Sequence, residues 1–136
     1  MLENLAQIIR GAEILYTIGM VLIWIVALGI IYVGVMYLLR NEANAAGFGL
    51  PVLPAAEARA WWQLKGVRDI ASGLVLIPLI FVEPDAVPWV VLVEAMIPVG
   101  DMLVILGNRG SKARAFGVHG LTAAVMLVAV ALLWLG

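Results

Sequence analysis

The stretch ILYTIGMVLIWIVALGIIYVGVMYLL, residues 14–39, decides the fold class because it contains no charged residue. A helix needs about 20 residues to cross roughly 30 Å of hydrocarbon. Tyr16 and Tyr37 stand near its two ends, where aromatic rings prefer the membrane interface. The segment therefore predicts a transmembrane helix, and residues 2–11 predict an interfacial lead-in to that helix.

The composition extends this prediction to the whole chain. Of the 136 residues, 65% are hydrophobic and 12% are charged, which exceeds what one soluble core of this size requires. Without cysteine the chain has no disulfide framework, no thiolate metal site and no cysteine nucleophile. We expect the lipid bilayer as a partner, and we expect no nucleic acid and no cofactor.

Three further apolar runs predict three further spans, at about residues 63–82, 87–106 and 116–135. The predicted fold class is thus all-α: a single domain, residues 1–136, forming a polytopic four-helix membrane bundle. Residues 40–62 form the long loop of this prediction.

Within that loop, Asn41 to Pro54 is rich in Ala, Gly and Pro and shows no strong helical pattern. Ala55 to Gln63, which contains Trp61 and Trp62, predicts a short interfacial helix. This helix could lie over the mouth of the bundle or serve as a tether with an aromatic anchor.

Basic residues fix the predicted orientation. Seven of the eight Lys and Arg residues fall in the two loops that would share one side of the membrane: Arg40, Arg59, Lys65, Arg68, Arg109, Lys112 and Arg114. Only Arg10 falls on the other side. The positive-inside rule places these loops in the cytoplasm and both termini outside the cell (inner) membrane.

Two short matches suggest an internal repeat. Residues 66–72 (GVRDIAS) align with 117–123 (GVHGLTA), and 33–36 (VGVM) with 99–102 (VGDM). The matches leave open whether the fold is a tandem repeat of two transmembrane hairpins or whether the similarity arose by chance.

Four ionisable side chains form one layer in the predicted spans. Arg68, Asp69, Asp101 and His119 would all lie roughly 5 to 8 Å below the cytoplasmic boundary. Charges inside a span are costly and need a partner or a polar cavity. We predict that Asp69, Asp101 and His119 exchange protons and that Arg68 binds an anionic or carbonyl oxygen.

Glu94 is the most isolated of the charged residues, because no basic residue shares its depth. It is therefore expected to be protonated or to face a wet cavity. It lies on the same face as Asp101, and Pro98 cannot donate a hydrogen bond to its carbonyl, so we expect a kink there. Glu94, Ser72 and Trp61 complete the predicted ligand-binding residues.

Each of these groups also has a purely structural interpretation. Arg68 and Asp101 could form a buried ion pair between two spans, and Asp69 could pair with Lys65 one turn earlier. His119 could hydrogen-bond a neighbouring carbonyl or aspartate. Asp69, Asp101 and His119 could ligate a metal, but their spacing is not diagnostic, and no metal site is predicted.

The chain resembles a known but uncharacterised family at these same positions. The segments 65–69 (KGVRD), 99–101 (VGD) and 117–120 (GVHG) are similar to those of a domain of unknown function found in small four-helix membrane proteins of bacteria and fungi. That family is similar in layout to DoxX-like proteins. The resemblance covers roughly residues 16–135 and implies a fold and a set of marked positions rather than a reaction.

The leading functional hypothesis is a membrane protein that takes an apolar or amphipathic small molecule into the bundle. It would bind that molecule or convert it by acid/base chemistry, such as isomerisation or hydration. The alternatives are an accessory subunit whose polar layer only fastens helices, and a proton-coupled transporter using Glu94 and Asp101. A second copy of the chain is a further candidate partner.

Overall fold

The computed structural model describes residues 1–53 and 55–136, and Pro54, the end of the predicted irregular stretch, lies outside them. The elements of the described chain are helical, which confirms the all-α class. They are α1 (Leu2–Leu39), α2 (Asn41–Phe48), α3 (Arg59–Val82), α4 (Val87–Glu94), α5 (Met96–Gly107), α6 (Lys112–Arg114), a π-helical turn (Ala115–Gly120) and α7 (Leu121–Leu135), with 3₁₀ turns at Ala56–Ala58 and Pro84–Ala86.

Helix α1 is far longer than a membrane is thick. Its 38 residues extend about 57 Å at 1.5 Å per residue. Gly136 packs beside Ala12 and Tyr16, so the first turns of α1 extend past the end of α7, and residues 1–11 are all exposed. The prediction that residues 2–11 lead into the same helix is confirmed.

Three helical segments of the described chain are long and apolar enough to cross a membrane: Leu2–Leu39, Pro84–Gly107 and Lys112–Leu135. Helix α3 is long enough to cross a membrane, but it contains too many charged residues to meet the same standard of composition. Every 18-residue window of α3 contains Lys65, Arg68 and Asp69. The expected fourth span is therefore present as a helix, and its crossing of the bilayer stays a prediction.

Helix α1 organises the packing, because it contacts both α3 and α7. The α1 and α3 backbones approach closely where small residues meet. A Cβ atom added at Gly34 would lie 2.6 Å from the Gly66 carbonyl oxygen, and one at Gly73 would meet the Ala27 carbonyl oxygen. The shared core combines residues from α1, α3, α4 and α7 with Ala95: Ile23, Ala27, Leu76, Val87, Val91, Ala95, Met126, Ala129, Val130 and Leu133.

The predicted kink near Pro98 is confirmed. Helix α4 ends at Glu94 and α5 begins at Met96, with Ala95 between them. The Val99 N–H donates to the Ala95 carbonyl at 3.3 Å, one residue after the proline that cannot donate. Helix α4 contacts α7, and α5 contacts the π-helical turn, and both Glu94 and Asp101 line one cavity.

The loop after α1 differs from its prediction. Residues 41–48 form α2, whose helical structure depends on tertiary contacts, since Ala45 is buried. The short helix expected at residues 55–63, leading into the second span, is formed by a 3₁₀ turn at Ala56–Ala58 and the start of α3, and its interfacial position stays a prediction. We call the end of the protein that carries α2 and residues 108–111 the loop end.

The glycines of the proposed repeat differ in packing. Gly34 and Gly66 sit at the tight α1–α3 contact, whereas their counterparts Gly100 and Gly117 face open space in the described chain. The tandem-repeat hypothesis stays a prediction, and these two pairs do not share one packing role.

We expect Gly34→Ala to destabilise the protein by about 1 to 3 kcal/mol, because its methyl group would press on the α3 backbone. The matched Gly100→Ala should be neutral or stabilising by up to about 1 kcal/mol, since alanine favours a helix. Unfolding in mixed detergent micelles measures both changes. Equal effects from the two variants would contradict the packing described for Gly34.

Candidate functional site

A cavity of about 590 Å³ lies between the helices and reaches the loop end. Its volume and mainly apolar walls are typical of sites for small molecules. It is lined by Ile25, Val26, Gly29, Ile30, Val33, Tyr37, Asn44, Gly47, Phe48, Lys65, Asp69, Ser72, Glu94, Ile97, Pro98, Asp101, Arg114, Val118, His119, Leu121, Thr122, Val125 and Met126.

Lys65 stands at the centre of the polar part of this cavity. Its Nζ donates to both carboxylate oxygens of Asp69, at 3.1 and 3.0 Å, and lies 3.6 Å from Oδ2 of Asp101. Asp69 is only 5% exposed. One ammonium group thus joins a carboxylate of its own helix to a carboxylate of α5, in surroundings where an unpaired charge is costly.

His119 extends this cluster into the π-helical turn. Its Nδ1 lies 3.5 Å from Oδ2 of Asp101, and its Nε2 lies 3.3 Å from the Phe48 carbonyl oxygen. Both ring nitrogens therefore face acceptors, and a neutral imidazole can donate to only one of them. We call Lys65, Asp69, Asp101 and His119 the quartet. It carries no net charge when His119 holds two protons.

Aromatic rings enclose the quartet at the loop end. Lys65 Nζ lies 5.4 Å from the ring centroids of both Tyr37 and Phe48. Trp62 stacks on Tyr37, and the Phe48 ring meets the His119 ring edge-on at 4.7 Å. These rings shield the ammonium group from water and stabilise it through their negative faces.

Helix α2 brings Phe48 and Asn44 to the cavity. The Tyr37 hydroxyl donates to the Asn44 carbonyl at 3.5 Å, and the Ser111 N–H donates to the Gly49 carbonyl at 2.8 Å. Gly49 ends α2 with a φ of 110°, a conformation that glycine adopts without strain. The Asn44 side-chain Nδ2 is buried without a hydrogen-bond partner among the residues that the structure describes, so the cavity retains an unused donor.

The structure corrects two of the predicted positions. Arg68 is exposed and forms no ion pair within the described residues, so the predicted Arg68–Asp101 pair is wrong. Arg68 points about 60° away from Lys65 around α3, beyond the face that carries Lys65 and Asp69. Trp61 is 71% exposed and does not line the cavity. The contacts expected of Asp69 with Lys65 and of His119 with Asp101 are present, and whether their role is structural or functional stays a prediction.

The other predicted residues do line the cavity. Asp69, Asp101 and His119 lie at its loop end, with Ser72 and Glu94 further along its walls. Within the residues that the structure describes, no group of three or more His, Cys, Asp and Glu side chains could hold a metal ion.

Sequence reasoning missed Tyr37, Asn44 and Phe48 as residues of this site, and it missed the central position of Lys65. The spacing of Lys65 and Asp69 already gave a signal for the last. Nothing in the Ala- and Gly-rich loop sequence indicated that Asn44 and Phe48 would fold over the polar layer.

We expect Lys65→Met to destabilise the protein by about 3 kcal/mol, because it leaves two carboxylates without their cation. Arg68→Met, three residues away on the exposed side of the same helix, should change stability by less than about 1 kcal/mol. Detergent unfolding of both variants measures the difference. A larger loss for Arg68→Met would contradict the assignment of Lys65 as the central cation.

The comparisons with known proteins agree with the resemblance noted in the sequence. No curated protein and no solved structure matches the chain. The family model described as Domain of unknown function (DUF4267) matches residues 27–133, a range that includes the whole quartet. The similarity in layout to DoxX-like proteins stays a prediction. Because the match covers most of this chain's length, the chain belongs to the DUF4267 family.

Proposed function

We propose that this protein is a four-helix integral membrane protein that takes an apolar or amphipathic small molecule into its central cavity. There it binds the molecule or converts it by acid/base chemistry. The observation that carries the proposal is the joining of apolar walls to a charged quartet within one cavity. Such a site matches a ligand with an apolar body and one polar group.

The distribution of charge on α3 supports its placement as the fourth span. Its polar residues Lys65 and Asp69 face the cavity, and its outward side exposes large apolar side chains such as Val67, Leu74 and Val75. Ionisable residues that face an interior cavity are the usual exception to the exclusion of charge from spans. Arg68, near the end of the span, could extend its guanidinium group to the interface.

The proposed orientation places the loop end in the cytoplasm and both termini outside the cell (inner) membrane. The loop end carries seven of the eight basic residues. The short Pro84–Ala86 turn, which carries none, lies with the termini. The quartet then lies just inside the cytoplasmic boundary of the bilayer.

The gap between α3 and α5 supports entry of the ligand into the cavity from the bilayer. Helix α3 contacts α4, but α3 and α5 scarcely touch within the described residues. Ile97 of α5 both lines the cavity and is 43% exposed, so the cavity wall is thin there. Arg68 and Trp61 lie on the neighbouring edge of α3, where they could meet the polar group of an arriving molecule.

The quartet supports a division of roles. Asp101 is the more exposed of the two carboxylates and contacts His119, so we assign to Asp101 and His119 the exchange of protons with the ligand. Lys65 takes the role first expected of Arg68 and binds a ligand oxygen. Asp69 positions Lys65 and satisfies its charge.

A second candidate function rests on the same contacts. The quartet links α3, α5 and the π-helical turn, which is also what an accessory subunit would need to fasten its helices. In that case the cavity would have no ligand. A proton-coupled transporter would instead require access to Glu94 from the opposite end.

Filling the cavity with a large side chain tests whether the protein binds a ligand there. Val125→Trp places an indole inside the cavity, whereas Leu127→Trp places it on the exposed side of the same helix. We expect photolabelling by an alkyl-diazirine alcohol in lipid nanodiscs to fall roughly tenfold in the first variant only. Mass spectrometry should place the wild-type label on cavity-lining peptides. Labelling confined to lipid-facing residues would favour the accessory subunit.

Hydrogen exchange tests the chemistry. If Asp101 removes a proton from the carbon beside a carbonyl and solvent returns a deuteron, 2-undecanone should exchange in D₂O about 10²-fold faster than in protein-free nanodiscs. Asp101→Asn should abolish this gain. Asp85→Asn, an exposed aspartate at the opposite end, should retain it. Exchange at the protein-free rate in the wild type would leave a binder without this acid/base activity.

A further inference from the structure

The cavity has a second polar level, about 10 Å deeper than the quartet. Tyr37 and three residues of the quartet form the outer level. Each of these four residues has a cavity-lining counterpart seven residues deeper on the same helical segment. The spacing places each counterpart on the same face and about 10 Å along the axis. The pairs are Tyr37 with Ile30, Lys65 with Ser72, Asp101 with Glu94, and His119 with Met126.

Two of the four deeper residues are polar. Ser72 and Glu94 line the cavity from α3 and from the end of α4, and neither side chain makes a hydrogen bond or ion pair within the described residues. Around them, α1 and α7 contribute the apolar side chains of Ile30 and Met126.

Polar groups in an apolar cavity are stable only when something satisfies them. An unmet hydrogen-bonding group of this kind costs about 1 to 3 kcal/mol. The quartet satisfies its own charges through Lys65, but no cation reaches Glu94 from any helix that lines the cavity in the described chain. The partner for Ser72 and Glu94 is therefore water or a ligand within the cavity.

We propose that Ser72 and Glu94 form a distal subsite for a hydroxyl or carbonyl oxygen at the far end of the ligand. The ligand class is then a lipophilic molecule with two oxygen functions about 10 Å apart, one at the quartet and one at the distal subsite. This inference rests on the proposed function and narrows its ligand.

The donor and acceptor chemistry fits such an oxygen. The Ser72 hydroxyl both donates and accepts, and the Glu94 carboxyl accepts when ionised and also donates when protonated. A ligand hydroxyl can pair with either form, and a ligand carbonyl with the hydroxyl of Ser72 or the acid form of Glu94. The stretch between the two levels is mainly apolar, with Val33, Ile97 and Leu121 on its walls, and the Thr122 hydroxyl on this stretch donates to the Val118 carbonyl. A hydrocarbon linker between the two oxygens matches it.

The test compares 1-octanol with 1,8-octanediol as competitors of the photoreactive alcohol in nanodiscs. The diol adds one hydroxyl at a comparable distance from the first. After correction for membrane partitioning, we expect the diol to compete roughly tenfold better in the wild type, the effect of one good hydrogen bond. Glu94→Leu should remove this advantage, while Glu94→Gln should keep most of it.

The controls separate this inference from the proposed function. Val93→Leu, on the exposed neighbouring position, should keep the diol advantage. Equal competition by the two alcohols in the wild type, or a diol advantage that survives Glu94→Leu, would overturn the distal subsite while ligand binding stands. Stronger competition by 8-amino-1-octanol than by the diol would overturn the hydroxyl or carbonyl class. Failure of every competitor in the wild type would overturn the proposed function itself.

Discussion

The contact of one ammonium group with two carboxylates is the constraint on which the structure depends. Lys65 neutralises Asp69 on its own helix and approaches Asp101 on α5, so the charge balance of the interior requires α3 and α5 to stay near each other. Yet these two helices scarcely touch. Long side chains, rather than backbone packing, bridge the space between them, and that space is the cavity. The buried contacts of Lys65 with Asp69 and Asp101 are energetically costly to form, and they also keep the cavity open between α3 and α5.

The sequence predicted the helices well because bilayer thickness imposes a length that is visible in the apolar runs. It also predicted the break at Pro98, because a missing N–H is a local property. The prediction failed where tertiary contacts determine the local structure. Helix α2 forms from a segment with little helical pattern, since its stability comes from packing under the Gly49 turn and against Tyr37. Local propensity carries no record of such contacts.

The site shows the same division. Depth along a helix is a linear property, so Asp69, Asp101 and His119 could be placed in one layer from the sequence. Direction around a helix depends on where the neighbours lie. Arg68 and Lys65 are similar in depth and charge, but only Lys65 points inward once α1 has packed against the glycine face of α3. Choosing between them requires the α1–α3 contact, which short sequence matches do not reveal.

The π-helical turn at Ala115–Gly120 carries a wider consequence for the chain. Such a turn holds one residue more than a regular α-helix needs over the same path. Loss of a single residue there would let the segment become a regular α-helix, and the residues on either side would keep their directions because the turn absorbs the extra residue. Arg114 would then stay at the cavity mouth, and the apolar length of α7 would remain intact. A one-residue deletion at this point would therefore spare the helices on either side and act on His119, which lies inside the turn and contacts Asp101.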